Sequence, residues 1–131
     1  MSIVPIVLAG IAYFMLGGLW FTPLFGKQWD KAVGFDRPAR WRPSIEYYLG
    51  PLFGCIVSSL AVGMLISYIL PQSWMEAAKI GLIIGAGFGT SVTLVNAISP
   101  NMPRPYLYGA VTGSYHCAGL ILCSLIHFGM Q

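Results

Sequence analysis

Four long apolar runs, residues 3 to 25, 46 to 70, 78 to 99 and 106 to 129, constrain this chain more than any other feature. Each is long enough to cross a hydrocarbon core, which takes roughly 20 helical residues. Within lipid every backbone polar group must find its partner inside the protein, so only helices or closed barrels span a membrane. Barrel strands would show about ten residues of alternating polarity between turns. These runs are longer and do not alternate, so the expected class is all-α: an integral membrane four-helix antiparallel bundle, with residues 1–131 forming one domain.

Charge content points the same way. Only 8% of the residues are charged and 56% are hydrophobic, whereas a soluble domain carries about 25% charged residues. A water-facing surface cannot be built from that composition. The net charge of +3 does not signal nucleic acid, because the basic residues lie beside the apolar runs and not on a soluble basic face. Anionic lipid headgroups are the expected partner, met by Lys27, Lys31, Arg37, Arg40 and Arg42, with Trp29 and Trp41 at headgroup depth. Cys55, Cys117 and Cys123 lie inside apolar runs with no metal-type spacing, and read as small packing residues. The first charge, Lys27, follows the first apolar run. That order is opposite to a secretory signal, and the segment is expected to stay in the mature protein.

Proline marks the joints: Pro38 and Pro43 in the first connection, Pro71 after the second run, and Pro100, Pro103 and Pro105 in the third. The second and third connections are therefore short, which makes sequential helices antiparallel neighbours in an up-down bundle. The segment 26–45 is expected to be a basic cytoplasmic loop. With Arg104 it outweighs Lys79 on the other side, so both termini should face away from the cytoplasm. Pro23, within "LWFTPLFGKQW", either kinks the first helix or ends it, and Thr22 could return a hydroxyl to the freed carbonyl.

Small residues recur at helical spacing. Gly81, Gly85 and Gly89 form one stripe, continued by Asn96 and Ser99; Gly50, Gly54 and Ser58 form another, and Gly109 and Gly113 a third. Such stripes let helices approach to backbone contact, either within one bundle or between copies. In the fourth run Gly109, Thr112, His116, Cys123 and His127 share one side, while Leu107, Val111, Ile121, Leu122 and Leu125 suggest a lipid face. His116 lies near mid-membrane, with Thr90, Ser58 and Tyr13 at about its depth. It is either a neutral ring bonded to a neighbouring hydroxyl or carbonyl, or a group titrating in a wet cavity. A polar cluster of Trp20, Glu46, Tyr47, Asn96 and Tyr108 is geometrically possible, with Glu46 alternatively serving the helix N-terminus.

No catalytic, phosphate-binding or metal-ligating constellation is visible, and no cofactor is expected. The combination of "GGLWFTPLFGKQW", "GFGTSVTLVNAISP" and "VTGSYHCAGLIL" resembles the bacterial family known as domain of unknown function 1761, over essentially the whole chain. The resemblance implies a small four-span protein of the bacterial cytoplasmic membrane and brings no activity. Its marked positions fall on Trp20, Pro23, Gly26, Lys27, Trp29, Asn96, Tyr115 and His116. Where family members commonly have Tyr-Ser, this chain has Phe21-Thr22, which keeps the hydroxyl before proline and loses the phenol.

The functional expectation is a non-enzymatic bundle that forms a homo-oligomer or joins a larger membrane complex. The alternative is an oligomeric transporter or channel using the polar faces around His116 and Asn96. An intramembrane enzyme is the least supported reading, because no nucleophile is paired with a base.

Overall fold

The computed structural model describes residues 1–131 as five helices without strands. Four of them, α1 (Ile3–Leu24), α3 (Glu46–Ile69), α4 (Trp74–Ala97) and α5 (Pro105–Gly129), are long and apolar enough to cross a membrane. Their outward faces carry side chains such as Phe53, Tyr68, Ile83 and Phe88, all more than half exposed. That surface suits lipid and not water.

The fifth helix, α2 (Gly26–Val33), occupies the first part of the segment expected to be a loop. It follows α1 through one distorted turn. Trp20–Leu24 is a π-turn containing Pro23, in which the Phe25 N–H donates to the Trp20 carbonyl, five residues back, at 2.8 Å. Widening the turn relieves the clash that a proline ring makes with the carbonyl four residues earlier. Pro23 thus bends the last turn and ends the helix at once. The Thr22 hydroxyl makes none of the hydrogen bonds, contrary to expectation. Gly34, at φ 71°, closes α2 in the left-handed conformation that glycine adopts without strain. The third span starts at Trp74, earlier than residue 78, because the Ser73 hydroxyl caps it by accepting from the Glu76 N–H at 3.1 Å.

The bundle is organised around α5. Half of its membrane window is buried, against 17–28% in the other spans. Val111, expected to face lipid, is buried, and Ile121, Leu122 and Leu125 are only partly exposed. The fourth helix therefore has no broad lipid face. It runs antiparallel to α4, with Gly81 against Ile121, Gly85 against Cys117 and Thr90 against Gly113. It also runs antiparallel to α1, where Cys123 meets Ala9 and Tyr115 meets Tyr13. On a third side it touches α3 through Ser59 and His127. By contrast α3 and α4, neighbours in sequence, scarcely meet. The up-down order holds, but the cross-section is a hub with three partners and an open seam between α3 and α4.

Hydroxyl and indole donors to backbone carbonyls lock the hub, an arrangement well suited to lipid, where an unpaired carbonyl has no water. Ser124 Oγ donates to the Ala77 carbonyl at 2.5 Å, Thr90 Oγ1 to Gly113 at 2.8 Å and Ser59 Oγ to Ile6 at 2.8 Å.

Candidate functional site

The open seam is a groove of about 390 Å³ whose walls come from α3 (Ser58, Ala61, Leu65) and α4 (Ile84, Phe88, Val92). Its floor is formed by Tyr13, His116 and Leu120. The α4 wall is locally irregular, because Gly85–Thr90 is a π-helical stretch. There Ser91 Oγ donates to the Ala86 carbonyl at 3.0 Å and Thr93 Oγ1 to the Gly89 carbonyl at 2.6 Å. Short π-helical turns inside α-helices are frequent at functional sites.

His116 is held at the floor by Tyr13. The Tyr13 hydroxyl and His116 Nδ1 are 2.5 Å apart, and the rings meet edge-on. This ring nitrogen is the only hydrogen-bond partner of the Tyr13 hydroxyl. The phenol proton has no other acceptor, and an imidazole nitrogen accepts more strongly than a phenol oxygen; we therefore assign the donation to Tyr13, with Nδ1 accepting and the ring proton on Nε2. The Nε2–H has no partner in the protein and is not enclosed. Ser58 also lines the groove, and its hydroxyl makes no hydrogen bond within the protein. Tyr115 supports the floor from behind: its hydroxyl donates to the Tyr13 carbonyl at 3.0 Å and sits 3.6 Å from Cys55 Sγ. Trp20 Nε1 donates to the Val111 carbonyl at 2.9 Å, tying the π-turn of α1 to α5.

Of the residues singled out from sequence, His116, Tyr115 and Trp20 thus form one connected patch with Tyr13. Thr112 is buried with its hydroxyl unpartnered and does not line the groove. Asn96 and Glu46 do not join them. Asn96 is exposed on the last turn of α4, and Glu46 is exposed at the start of α3, where it accepts from Ser44 Oγ at 3.0 Å. The cluster of Trp20, Glu46, Tyr47, Asn96 and Tyr108 does not form, because α3 and α4 pack on different flanks of α5 and keep those ends apart. Tyr47 instead packs edge-on against Trp41.

The glycine stripes divide. Gly81, Gly85, Gly89, Gly109 and Gly113 are consumed inside the chain, at the α4–α5 contact. A Cβ at Gly50 or Gly54 would meet nothing within 4 Å, so these two do no packing within the protomer. The basic residues also divide. Arg37 pairs bidentately with Asp30 (2.7 and 2.9 Å) and lies over the Trp41 ring. Lys27, Lys31, Arg40 and Arg42 are exposed and unpaired. Trp29 packs edge-on against Phe21.

A second polar pair was not singled out from sequence. His127 is buried with Nε2 3.0 Å from Ser59 Oγ, whose own proton goes to the Ile6 carbonyl, so the ring donates from Nε2. The spacing of His127 from His116 placed both on one helix side, but nothing in the sequence located Ser59 opposite. The three cysteines are free thiols, and no group of three His, Cys, Asp or Glu side chains converges.

No curated protein and no solved structure matches the chain. The aromatic, proline and histidine positions of the α1–α5 patch belong to segments that a single family model spans, from residue 4 to residue 128. With that model covering nearly the whole chain, the protein belongs to the family described as protein of unknown function (DUF1761).

Proposed function

We propose that the chain is a non-enzymatic membrane protein that acts by self-association, with the outward face of α3 as the contact between copies. The observation that carries this reading is the unequal use of small residues: five helix glycines are filled by α4–α5 contact, while Gly50 and Gly54 lie open together one turn apart on α3, where Gly18 and Gly87 are open only singly on their helices. In lipid, helices associate through such close-approach faces more than through apolar burial. A subunit role in a larger assembly would use the same face.

The setting proposed is the bacterial cytoplasmic membrane with both termini outside the cytoplasm. Lys27, Lys31, Arg40, Arg42 and Arg104 gather at one end, where Arg104 N–H donates to the Ala32 carbonyl at 3.1 Å. Positive charge favours the cytoplasmic side and its anionic headgroups. Particle mass in mild detergent and in lipid discs tests the main reading. A multimer that Gly54→Leu dissociates is expected, and a strictly monomeric particle in both media would refute it.

A second reading, passage of a small solute past His116, has in its favour the unpartnered Nε2–H on the groove floor. Asn96 lies outside that groove, so the path would involve His116 without it. Liposome flux that is absent, or unchanged by His116→Ala, would dispose of it.

A further inference from the structure

We infer that the groove between α3 and α4 is a binding site for a neutral, lipid-soluble carbonyl compound of the quinone or ketone class, whose oxygen accepts from His116 Nε2–H. This inference does not require self-association through Gly50 and Gly54, which line no part of the groove although Ser58 on its wall continues their stripe one turn further along α3.

Three features converge on that class. The first is hydrogen-bond polarity. The groove presents two unpartnered hydroxyl or ring N–H groups, His116 Nε2–H and Ser58 Oγ–H, among mainly apolar walls. The other two polar side chains are already engaged, Thr93 with the Gly89 carbonyl and Tyr13 with His116 Nδ1. In hydrocarbon an unmade donor is costly, and the complementary ligand atom is an acceptor without a proton of its own, which describes a carbonyl oxygen. The site bears no charged side chain, so the ligand is neutral.

The second feature is depth. His116 stands near the middle of Pro105–Gly129; at about 1.5 Å per residue it is on the order of 16 Å from one end of the helix and 20 Å from the other. Phospholipid esters stay at the interface, about 15 Å from the bilayer midplane, so a phospholipid delivers only methylenes to this level. A quinone ring or a long-chain ketone dissolves in the hydrocarbon and can bring its oxygen there. The third is size and access. About 390 Å³ lies in the range of small-molecule sites, roughly 300–1,000 Å³. The groove opens sideways, because α3 and α4 scarcely meet and Phe88 and Val92 on its wall are more than half exposed. A ligand can therefore enter from the bilayer without passing through water.

The test uses the intact protein in phosphatidylcholine discs holding one copy each, titrated with decylubiquinone, with decylbenzene as the control that lacks an acceptor. Two readouts are followed: the 15N–1H resonance of His116 Nε2 and the thermal midpoint. Decylubiquinone is expected to shift the resonance and raise the midpoint saturably, and decylbenzene to do neither. His116→Leu should weaken binding by about tenfold, while His116→Gln, which keeps an N–H donor, should stay within about threefold of the natural chain. Ala61→Phe places a ring in the groove while leaving both members of the Tyr13–His116 pair in the sequence, and should abolish binding. Should His116→Leu fail to fold, the resonance shift in the natural chain and the Ala61→Phe result still decide. The inference is overturned by no saturable shift, by equal effects of decylbenzene, or by binding that Ala61→Phe leaves intact. It is equally overturned if Ala61→Phe disrupts association of copies in larger discs while decylubiquinone has no effect, since a second copy would then be the occupant.

Discussion

Gly85→Ala probes the backbone contact on which α4 and α5 depend. A Cβ at Gly85 would stand 2.7 Å from Cys117 Cα and 2.9 Å from its carbonyl oxygen. Ordinary carbon contacts are about 3.5–4.0 Å, so the helices must part by about 1 Å, and backbone atoms cannot turn aside as a side chain could. Overpacking of this kind costs about 1–3 kcal/mol. Parting also stretches the two bonds flanking the site, Ser124 Oγ to Ala77 and Thr90 Oγ1 to Gly113, and membrane hydrogen bonds average about 0.6 kcal/mol each. The expected loss is therefore about 2–4 kcal/mol. Gly18→Ala is the control, since a Cβ there meets nothing within 4 Å, and it gains at most the ~1 kcal/mol of helix propensity. Unfolding free energies of the two variants, measured side by side in mixed micelles, give the comparison. If Gly85→Ala proved as stable as Gly18→Ala, close contact between α4 and α5 would be refuted.

Tyr13→Phe removes the phenol from His116 Nδ1; stability should fall by about 0.6–1.7 kcal/mol, and 15N NMR should show the ring proton redistributing between the two nitrogens. A ring still protonated only at Nε2 would contradict the donor assignment. Ser59→Ala strips a partner from both the Ile6 carbonyl and His127 and should cost about 1–3 kcal/mol in the same unfolding assay. Ser67→Ala, which loses only a bond to the Gly63 carbonyl of its own helix, should be close to neutral. A cysteine introduced by Ala39→Cys should react with a membrane-impermeant reagent from the cytoplasmic side alone; labelling from outside would invert the proposed orientation.

The four spans, the all-helical class and the breaker positions were legible in the sequence, because the length of an apolar run and the placement of proline are local properties that lipid enforces segment by segment. His116, Tyr13 and Ser58 could even be set at one depth by counting along the helices. Which of them would touch was a matter of azimuth. That is decided by how helices roll against one another, and four nearly uniform apolar cylinders carry little sequence signal for it. Helix α5 became the hub because its glycines and hydroxyls lie on several faces, so it can receive α1, α3 and α4 together. The sequence pattern had shown those faces as one polar seam and one lipid face. The same rolling left Gly50 and Gly54 outward although they share their spacing with the buried stripe of α4, and separated Asn96 and Glu46 from His116. It also opened the groove over His116: two helices adjacent in sequence packed on different flanks of a third, and only that tertiary arrangement leaves a ring N–H unpartnered in the middle of a membrane.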